Sequence, residues 1–134
     1  MKRECLNCGQ QEMAYSEKDV PYTYKGHETT IPLVKGWHCP HCGEVEFEAG
    51  EGVRFAEFIE KFANKINKLE TTELARIRKK LNLTQQDAAR LTGGGPNAFS
   101  RYERGKARPM PAIINLFKLL DNHPDLLNEL KSTG

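Results

Sequence analysis

The 134-residue sequence is short of apolar residues, and it has no long run of them. Hydrophobic residues make up 38% of the chain, and no segment approaches the roughly 20 apolar residues that a membrane-spanning helix requires. The basic start Met1-Lys2-Arg3 is followed by no apolar stretch, so the pattern of a signal peptide is missing. We therefore expect a cytoplasmic protein that has no membrane partner and whose thiols stay reduced.

The sequence also lacks the signatures of the common enzyme classes. Gly105-Lys106 is followed by Ala107, whereas a phosphate-binding loop ends in Gly-Lys-Ser or Gly-Lys-Thr. No paired nucleophile and base can be recognised. We expect the protein not to be an enzyme. A thiol or metal enzyme stays open as a minor alternative, which turnover dependent on Cys5 or Cys39 would revive.

The net charge is small as well, at +2, but its distribution is uneven. Residues 1–68 contain 9 Lys and Arg against 11 Asp and Glu, whereas residues 69–134 contain 11 against 7. Within residues 76–108 the basic residues number 9 and the acidic ones 2. Such asymmetry indicates two modules, of which the second binds a polyanion, although a solvated basic face would give the same counts. We place the junction at residues 68–73, where one helical pattern ends and another begins.

What the chain does contain is four cysteines, arranged in its first third as two CxxC pairs with thirty residues between them. Two residues between cysteines let both sulfur atoms of a tight turn point at one centre, and two such turns complete the tetrahedral shell of a structural zinc site. A glycine follows each pair, as a turn with positive φ favours. The spacing predicts one structural Zn²⁺ per chain, held by Cys5, Cys8, Cys39 and Cys42.

Other uses of the cysteines fit the pattern less well. Disulfide bonds suit secreted proteins, and a redox-active pair normally needs one CxxC motif in a βαβ context. His38 and His41 lie beside and within the second pair, but four cysteines already complete a shell, so we expect both to be ordinary turn residues. A closed shell leaves no open position for water, which argues against catalytic zinc.

The rest of the first module has the pattern of a small α+β domain. β-type residues on both sides of Lys25-Gly26 predict a hairpin over residues 20–31, and residues 37–39 and 44–48 predict two further short antiparallel strands. Apolar residues at helical spacing predict a helix over residues 51–69. The sheet must have an edge, which either pairs with a partner protein or is simply solvated.

The second module has the pattern of five short helices. Thr84 is a candidate N-cap of the second helix, with Asp87 at the reciprocal position of a capping box. Gly93-Gly94-Gly95 ends that helix, and Pro96 fits the first position of a third. Pro111 begins a fourth helix, and a short fifth one follows. Short helices with a glycine turn between the second and the third predict an all-α helix-turn-helix domain.

The third helix is the candidate recognition helix. Asn97 and Arg101 are four residues apart and share its outward face, opposite the apolar Phe99 and Tyr102. In the major groove of DNA, Asn can bind adenine and Arg can bind guanine, each through two hydrogen bonds. Either residue alone would be taken for a solvated surface residue, but their place inside the basic stretch predicts that they read bases. The candidate phosphate contacts are Thr84, Gln85, Ser100, Lys106 and Arg108.

Three stretches of the sequence resemble known families. Residues 84–88 together with residues 100–109 are similar to the Cro/CI-type (Xre) helix-turn-helix. The two CxxC pairs, with Val20-Pro21-Tyr22-Thr23-Tyr24 and Gly26 between them, resemble the YgiT-type zinc finger. With residues 93–103 added, the combination resembles the MqsA-type antitoxins over essentially the whole chain.

The resemblance implies a function for each module. Members of that family neutralise an MqsR-type mRNA-cleaving toxin through the zinc module, here residues 1–68. They form a homodimer through the helix-turn-helix half, here residues 69–134, and repress their own operon at palindromic operators in double-stranded DNA. Their base-reading Asn and Arg correspond to Asn97 and Arg101, whereas Pro96 stands where members can carry an aliphatic residue. A stand-alone zinc-finger regulator without a toxin stays open as the alternative, and a toxin gene beside this one would decide.

Overall fold

A computed structural model describes residues 2–133 of the chain. An antiparallel sheet is followed by five helices, which confirms the predicted fold class. Compact packing divides the chain between Ile66 and Asn67. The elements in chain order are β1 (Lys2–Arg3), β2 (Met13–Tyr24), β3 (His27–His38), β4 (Val45–Phe47), α1 (Glu51–Lys80), α2 (Gln85–Leu91), α3 (Ala98–Glu103), α4 (Pro111–Asn122) and α5 (Leu126–Thr133).

The sheet is built around one long hairpin. Its strands lie in the order β1-β2-β3-β4, and every neighbouring pair is antiparallel. The predicted turn at Lys25-Gly26 is present, with φ values of 50° and 78°, as the tight hairpin turn that matches the twist of the strands requires. β2 and β3 have 12 residues each, so these two strands are longer than the short ones that the sequence predicts.

A β-bulge interrupts the hairpin halfway along. Two residues of β3, Pro32 and Leu33, lie opposite the single residue Asp19 of β2. Leu33 has a φ of 49°, an uncommon value for a residue with a side chain, and its N–H donates to the Asp19 carboxylate at 2.9 Å. A bulge of this kind changes the pairing register on one side of it.

Helix α1 begins at the sheet and is held there by a charged side chain. The Glu51 carboxylate accepts the backbone N–H of Lys35 in β3, and it accepts two N–H groups of Arg54 at 2.7 and 3.0 Å. Arg54 also donates to the carbonyls of Pro32 and Leu33 at the bulge. The Arg54 guanidinium, followed by the Lys35 N–H, lowers the pKa of Glu51 to about 2.

The predicted break in the helix at residues 68–73 is wrong, because α1 runs without interruption from Glu51 to Lys80. The threonines in this segment do not end the helix. The Thr71 hydroxyl donates to the carbonyl of Lys68 within the same helix, so its polar group is satisfied without leaving the helical conformation.

The helical unit packs around one apolar core. Eleven buried side chains from α1 to α5 form it, and the Phe99 and Phe117 rings meet at its centre with centroids 5.2 Å apart. Pro111 is the first residue of α4, as predicted. The prediction for Pro96 is wrong: α3 begins only at Ala98, because the Ala98 N–H donates to Gly95 and closes a turn around Pro96.

A transmembrane helix is not found among residues 2–133, since none of the described helices combines the length and the apolar character needed to cross a bilayer.

Candidate metal centre and candidate DNA interface

Each CxxC pair forms a tight turn with the same backbone geometry. The N–H of Gly9 donates to the carbonyl of Cys5 at 2.8 Å, and the N–H of Gly43 donates to the carbonyl of Cys39 at 3.0 Å. The two glycines have φ values of 80° and 78°, which residues with a side chain rarely adopt. One turn immediately follows β3 and the other precedes β2 by a short loop, so the hairpin brings both turns to its open end.

The four cysteine sulfur atoms converge on one point. All four lie within 4.8 Å of one another, and the Sγ–Sγ distance is 3.6 Å both from Cys5 to Cys42 and from Cys8 to Cys39. A tetrahedral site with Zn–S bonds of about 2.3 Å has sulfur atoms about 3.8 Å apart. Among the described residues, the four cysteines are free thiols rather than disulfides. Their arrangement is therefore that of a group able to hold a metal ion.

The neighbours of the cysteines shift the pKa values of two thiols in opposite directions. The Asn7 side chain donates to Cys42 Sγ at 3.5 Å, and this bond, followed by the Glu44 backbone N–H, lowers the pKa of the Cys42 thiol to about 6. For Cys8, the Gln10 backbone N–H acts in the same direction, but burial and the surrounding sulfur atoms prevail and raise its pKa to about 12. Thiols this close cannot all ionise unless a cation compensates their charge.

The histidines beside the second pair lie outside this group. His38 Nε2 lies 2.8 Å from the carbonyl oxygen of Val34, and the ring is buried. Within the described part of the chain, the candidate metal-binding group that includes these turns contains cysteines alone. His38 and His41 are therefore not needed to complete the shell.

The start of α2 has the capping box that the sequence predicts. The Thr84 hydroxyl oxygen accepts the N–H of Asp87 at 3.0 Å, and the Asp87 carboxylate accepts the N–H of Thr84 at 3.2 Å. The Thr84 backbone N–H, followed by the Thr84 hydroxyl, lowers the pKa of the Asp87 carboxyl.

Helix α3 presents both candidate base-reading residues to solvent. Asn97 is its N-cap residue but forms no capping bond with its side chain, and the Arg101 N–H donates to the Asn97 carbonyl at 3.0 Å. Both side chains are exposed, whereas Phe99 is completely buried and Tyr102 packs against the core. Two polar side chains one helical turn apart therefore stand on the side of α3 that faces away from the core.

The basic stretch is less uniform than its composition indicates. Arg101, Lys106 and Arg108 form no ion pair with any other described residue, and all three are exposed. Within residues 76–108, the basic residues without an ion pair to a described residue therefore lie mainly in α3 and the loop after it, with Lys79 of α1 as the exception. Four of the nine basic residues are instead paired with carboxylates of the protein itself, namely Arg76, Arg78, Lys80 and Arg90.

The other candidate phosphate contacts have different surroundings. Ser100 is half-buried, and its carbonyl accepts a bond from Arg104. The Gln85 side-chain amide donates to Glu103 at 3.1 Å, so one of its two N–H groups is used inside the protein. Sequence reasoning assigned no role to Glu103, which also binds Arg78, because no local pattern connects residues 25 positions apart.

Known proteins that are similar to this chain are antitoxins. Residues 1–131 match the family described as the antitoxin component of a bacterial toxin-antitoxin system, MqsA. The chain is 42% identical over 131 residues to the antitoxin MqsA of Escherichia coli strain K12, covering 96% of this chain and 99% of that protein. A solved structure, the N-terminal domain of E. coli MqsA, is 33% identical and covers 48% of this chain and 96% of its own, with a TM-score of 0.43. This chain belongs to the MqsA antitoxin family.

Proposed function

We propose that the protein neutralises an MqsR-type mRNA-cleaving toxin through residues 1–68 and represses its own operon through residues 69–134. The match to the antitoxin family over residues 1–131 supports both halves of this proposal. For the second half, the observation with the most weight is the pair of exposed side chains, Asn97 and Arg101, on α3 beside uncompensated positive charge. The protein acts by binding in the cytoplasm and is not an enzyme.

The metal in this proposal is one structural Zn²⁺ per chain. Four sulfur ligands at tetrahedral spacing suit zinc, and such a shell has no open position at which water could be activated. Bound zinc supplies folding free energy, because the unfolded chain has no comparable site. The ligands are Cys5, Cys8, Cys39 and Cys42.

In this proposal, helix α3 reads the operator. Asn97 binds an adenine and Arg101 a guanine in the major groove. Contacts to phosphates position the helix, and we propose Thr84, Ser100, Lys106 and Arg108 for them. A homodimer formed through residues 69–134 places two such helices on palindromic half-sites about one turn of DNA apart, or a multiple of it.

A pair of matched substitutions tests the base-reading role. Arg101→Ala should weaken binding to the promoter duplex of the protein's own operon by about 1–3 kcal/mol and relax the preference at one base pair. Lys106→Ala should weaken binding to all duplexes alike and lower the slope of log K against log salt by about one. Titrations of promoter and scrambled duplexes at several salt concentrations measure both. If Arg101→Ala weakens both duplexes equally, the residue contacts a phosphate instead.

The toxin partner is tested with the native chain. Purification from its own host, followed by identification of co-purifying chains, should recover a small ribonuclease, and adding the protein should stop mRNA cleavage by that ribonuclease. Arg101→Ala is the matched control, because it should bind the operator more weakly and keep the inhibition. The alternative, a stand-alone regulator without a toxin, is favoured if no ribonuclease co-purifies and no toxin gene adjoins this one.

A further inference from the structure

A buried group of polar side chains joins the end of α3 to two other helices. Arg78 of α1 is only 9% exposed, and its Nε and Nη2 atoms donate to the two oxygens of the Glu103 carboxylate at 2.7 and 3.0 Å. This is the two-pronged geometry in which an Arg–carboxylate pair fixes orientation as well as charge. Glu103 is the last residue of α3, so the pair holds this end of the helix against α1.

Two more hydrogen bonds extend the group to the start of α2. Arg78 Nη1 donates to the carbonyl of Leu83, in the turn before α2, at 2.8 Å. Gln85, the first residue of α2, donates from its side-chain amide to Glu103 at 3.1 Å. Arg78, Glu103 and Gln85, which we call the α3 anchor, therefore connect three helices through a single carboxylate.

Helix α3 needs such an anchor because it is short. Six residues are too few for a helix to be stable by itself, and its N-cap Asn97 provides no capping bond from its side chain. Phe99, together with Ala98 and Tyr102, attaches this helix to the apolar core, and Glu103 at its last residue attaches it to α1. Two attachment points on successive turns fix how the helix is rotated about its axis. That rotation decides where Asn97 and Arg101 point.

The hydrogen bonds within the α3 anchor keep the Glu103 carboxylate ionised. Burial disfavours the ionised form of Glu103, but the hydrogen bonds from Arg78 and then from Gln85 outweigh it, and the pKa of Glu103 lies below its usual value. Gln85 thus acts on a carboxylate that is already paired with Arg78. Removing the Gln85 amide weakens the orientation of Glu103 without leaving a buried charge unpaired, which makes Gln85 the member suited to a test.

We propose that Gln85 is a positioning residue for DNA recognition, because it orients Glu103 and thereby sets the angle at which α3 presents Asn97 and Arg101 to the bases. This inference rests on the proposed DNA-binding function. A positioning residue and a phosphate contact differ in which duplexes they help the protein to bind. A phosphate contact strengthens binding to every duplex, whereas a positioning residue strengthens only the binding that depends on base contacts.

The test compares Gln85→Met with Gln86→Met in the full-length zinc-loaded protein. Methionine keeps the length of the side chain and removes the amide, and Gln86 is the exposed neighbour that does not bond Glu103. The probes are the promoter duplex of the protein's own operon and a scrambled duplex of equal length and composition. We expect Gln85→Met to lower the ratio of promoter to scrambled affinity about tenfold, the loss that one disrupted base contact brings. Gln86→Met should leave the ratio unchanged.

The salt dependence separates the outcomes. The proposal is supported if Gln85→Met lowers the affinity for the promoter duplex while the affinity for the scrambled duplex and the salt slope stay unchanged. If both duplexes weaken equally and the slope falls by about one, Gln85 is a phosphate contact and the proposal is overturned. An unchanged ratio overturns it as well. If the wild-type protein itself shows no preference for the promoter, it is the proposed DNA-binding function that has failed, and the positioning role fails with it.

Thermal unfolding, monitored by circular dichroism, checks that the variants are folded. Gln85→Met should unfold within a few degrees of wild type, since it removes one hydrogen bond at a partly exposed site. A second variant, Glu103→Gln, keeps the shape of the anchor and removes its charge. It should also lower the affinity ratio, and an unchanged ratio in that folded variant counts against the proposal.

Discussion

The two compact units of this protein are held together in different ways. In the helical unit eleven buried side chains form the core, with Phe99 and Phe117 in contact at its centre. In the sheet unit the buried cluster beside the cysteine turns contains Met13, Cys5 and Cys39, with Trp37 packed against it, and Ile31, Val34 and Ile66 are buried outside this cluster. A cluster so rich in metal-binding groups gives little apolar stabilisation. The helical unit therefore has the larger apolar core, and we expect the sheet unit to depend in addition on what its cysteines bind.

Removing the metal should have the largest effect and should affect one unit only. Treatment with a zinc chelator leaves four thiols without a cation, so we expect the sheet unit to unfold while the helical unit stays folded. Trp37 is the only tryptophan and lies in β3, so its fluorescence reports on the sheet unit alone. Its emission should shift to that of a solvated indole while most of the helical circular dichroism is retained. If neither signal changes, the cysteines do not hold a structural metal.

As the pH falls, the sheet unit should unfold before the helical unit. Protons compete with the metal for thiolates, so the sheet unit should lose its metal first as the pH falls. In the helical unit, Thr84 lowers the pKa of Asp87 from 3.8 and Arg76 lowers that of Asp121 from 3.8. Carboxyl groups with a lowered pKa stabilise the folded state above their ordinary values and lose that contribution below them. The Trp37 transition should therefore occur at a higher pH than the helical one.

A substitution in the apolar core should destabilise the helical unit and leave the sheet unit unchanged. Phe99→Ala removes a fully buried ring from the helical core, so we expect about 3–5 kcal/mol less stability for this unit. Denaturant unfolding followed by circular dichroism should show the loss, while the Trp37 fluorescence transition stays where it is in the wild type. A change of equal size in both transitions would mean that the two units unfold together.

The smallest effect should come from the cap of α2. Thr84→Ala removes the hydroxyl that accepts the Asp87 N–H and should lower the stability of the helical unit by about 1 kcal/mol. Thr84→Ser keeps the hydroxyl and serves as the matched control. The midpoint of helical unfolding measures both variants. If the alanine and serine variants are equally stable, the Thr84 hydroxyl does not stabilise the helical unit.

Local signals in the sequence were sufficient for much of this structure. The CxxC spacing predicted the sulfur cluster because two residues fix the geometry of each turn. Thr84 with Asp87, and Pro111, marked the starts of two helices because caps and prolines act over one turn. The inward position of Phe99 followed from helical periodicity.

Features that depend on distant parts of the chain were missed. The continuity of α1 through residues 68–73 was not predicted, because a weak helical sequence can be retained by packing on either side of it. The Arg78–Glu103 pair joins residues 25 positions apart, and the bond from Arg54 to Pro32 spans 22. No local motif predicts such contacts, since they form only when the helices and strands pack together.

The bulge at Asp19 determines which residues meet at the open end of the hairpin. If the turn at the tip alone set the pairing, Ala14 would lie opposite Trp37. Because β3 carries one extra residue at the bulge, Ala14 lies opposite His38 instead. A shift of one residue turns every side chain to the other face of the sheet, and Cys39 comes immediately after His38. The extra residue at the bulge therefore decides which residue of β3 stands opposite Ala14, and so where the chain enters the second cysteine turn at the open end of the hairpin.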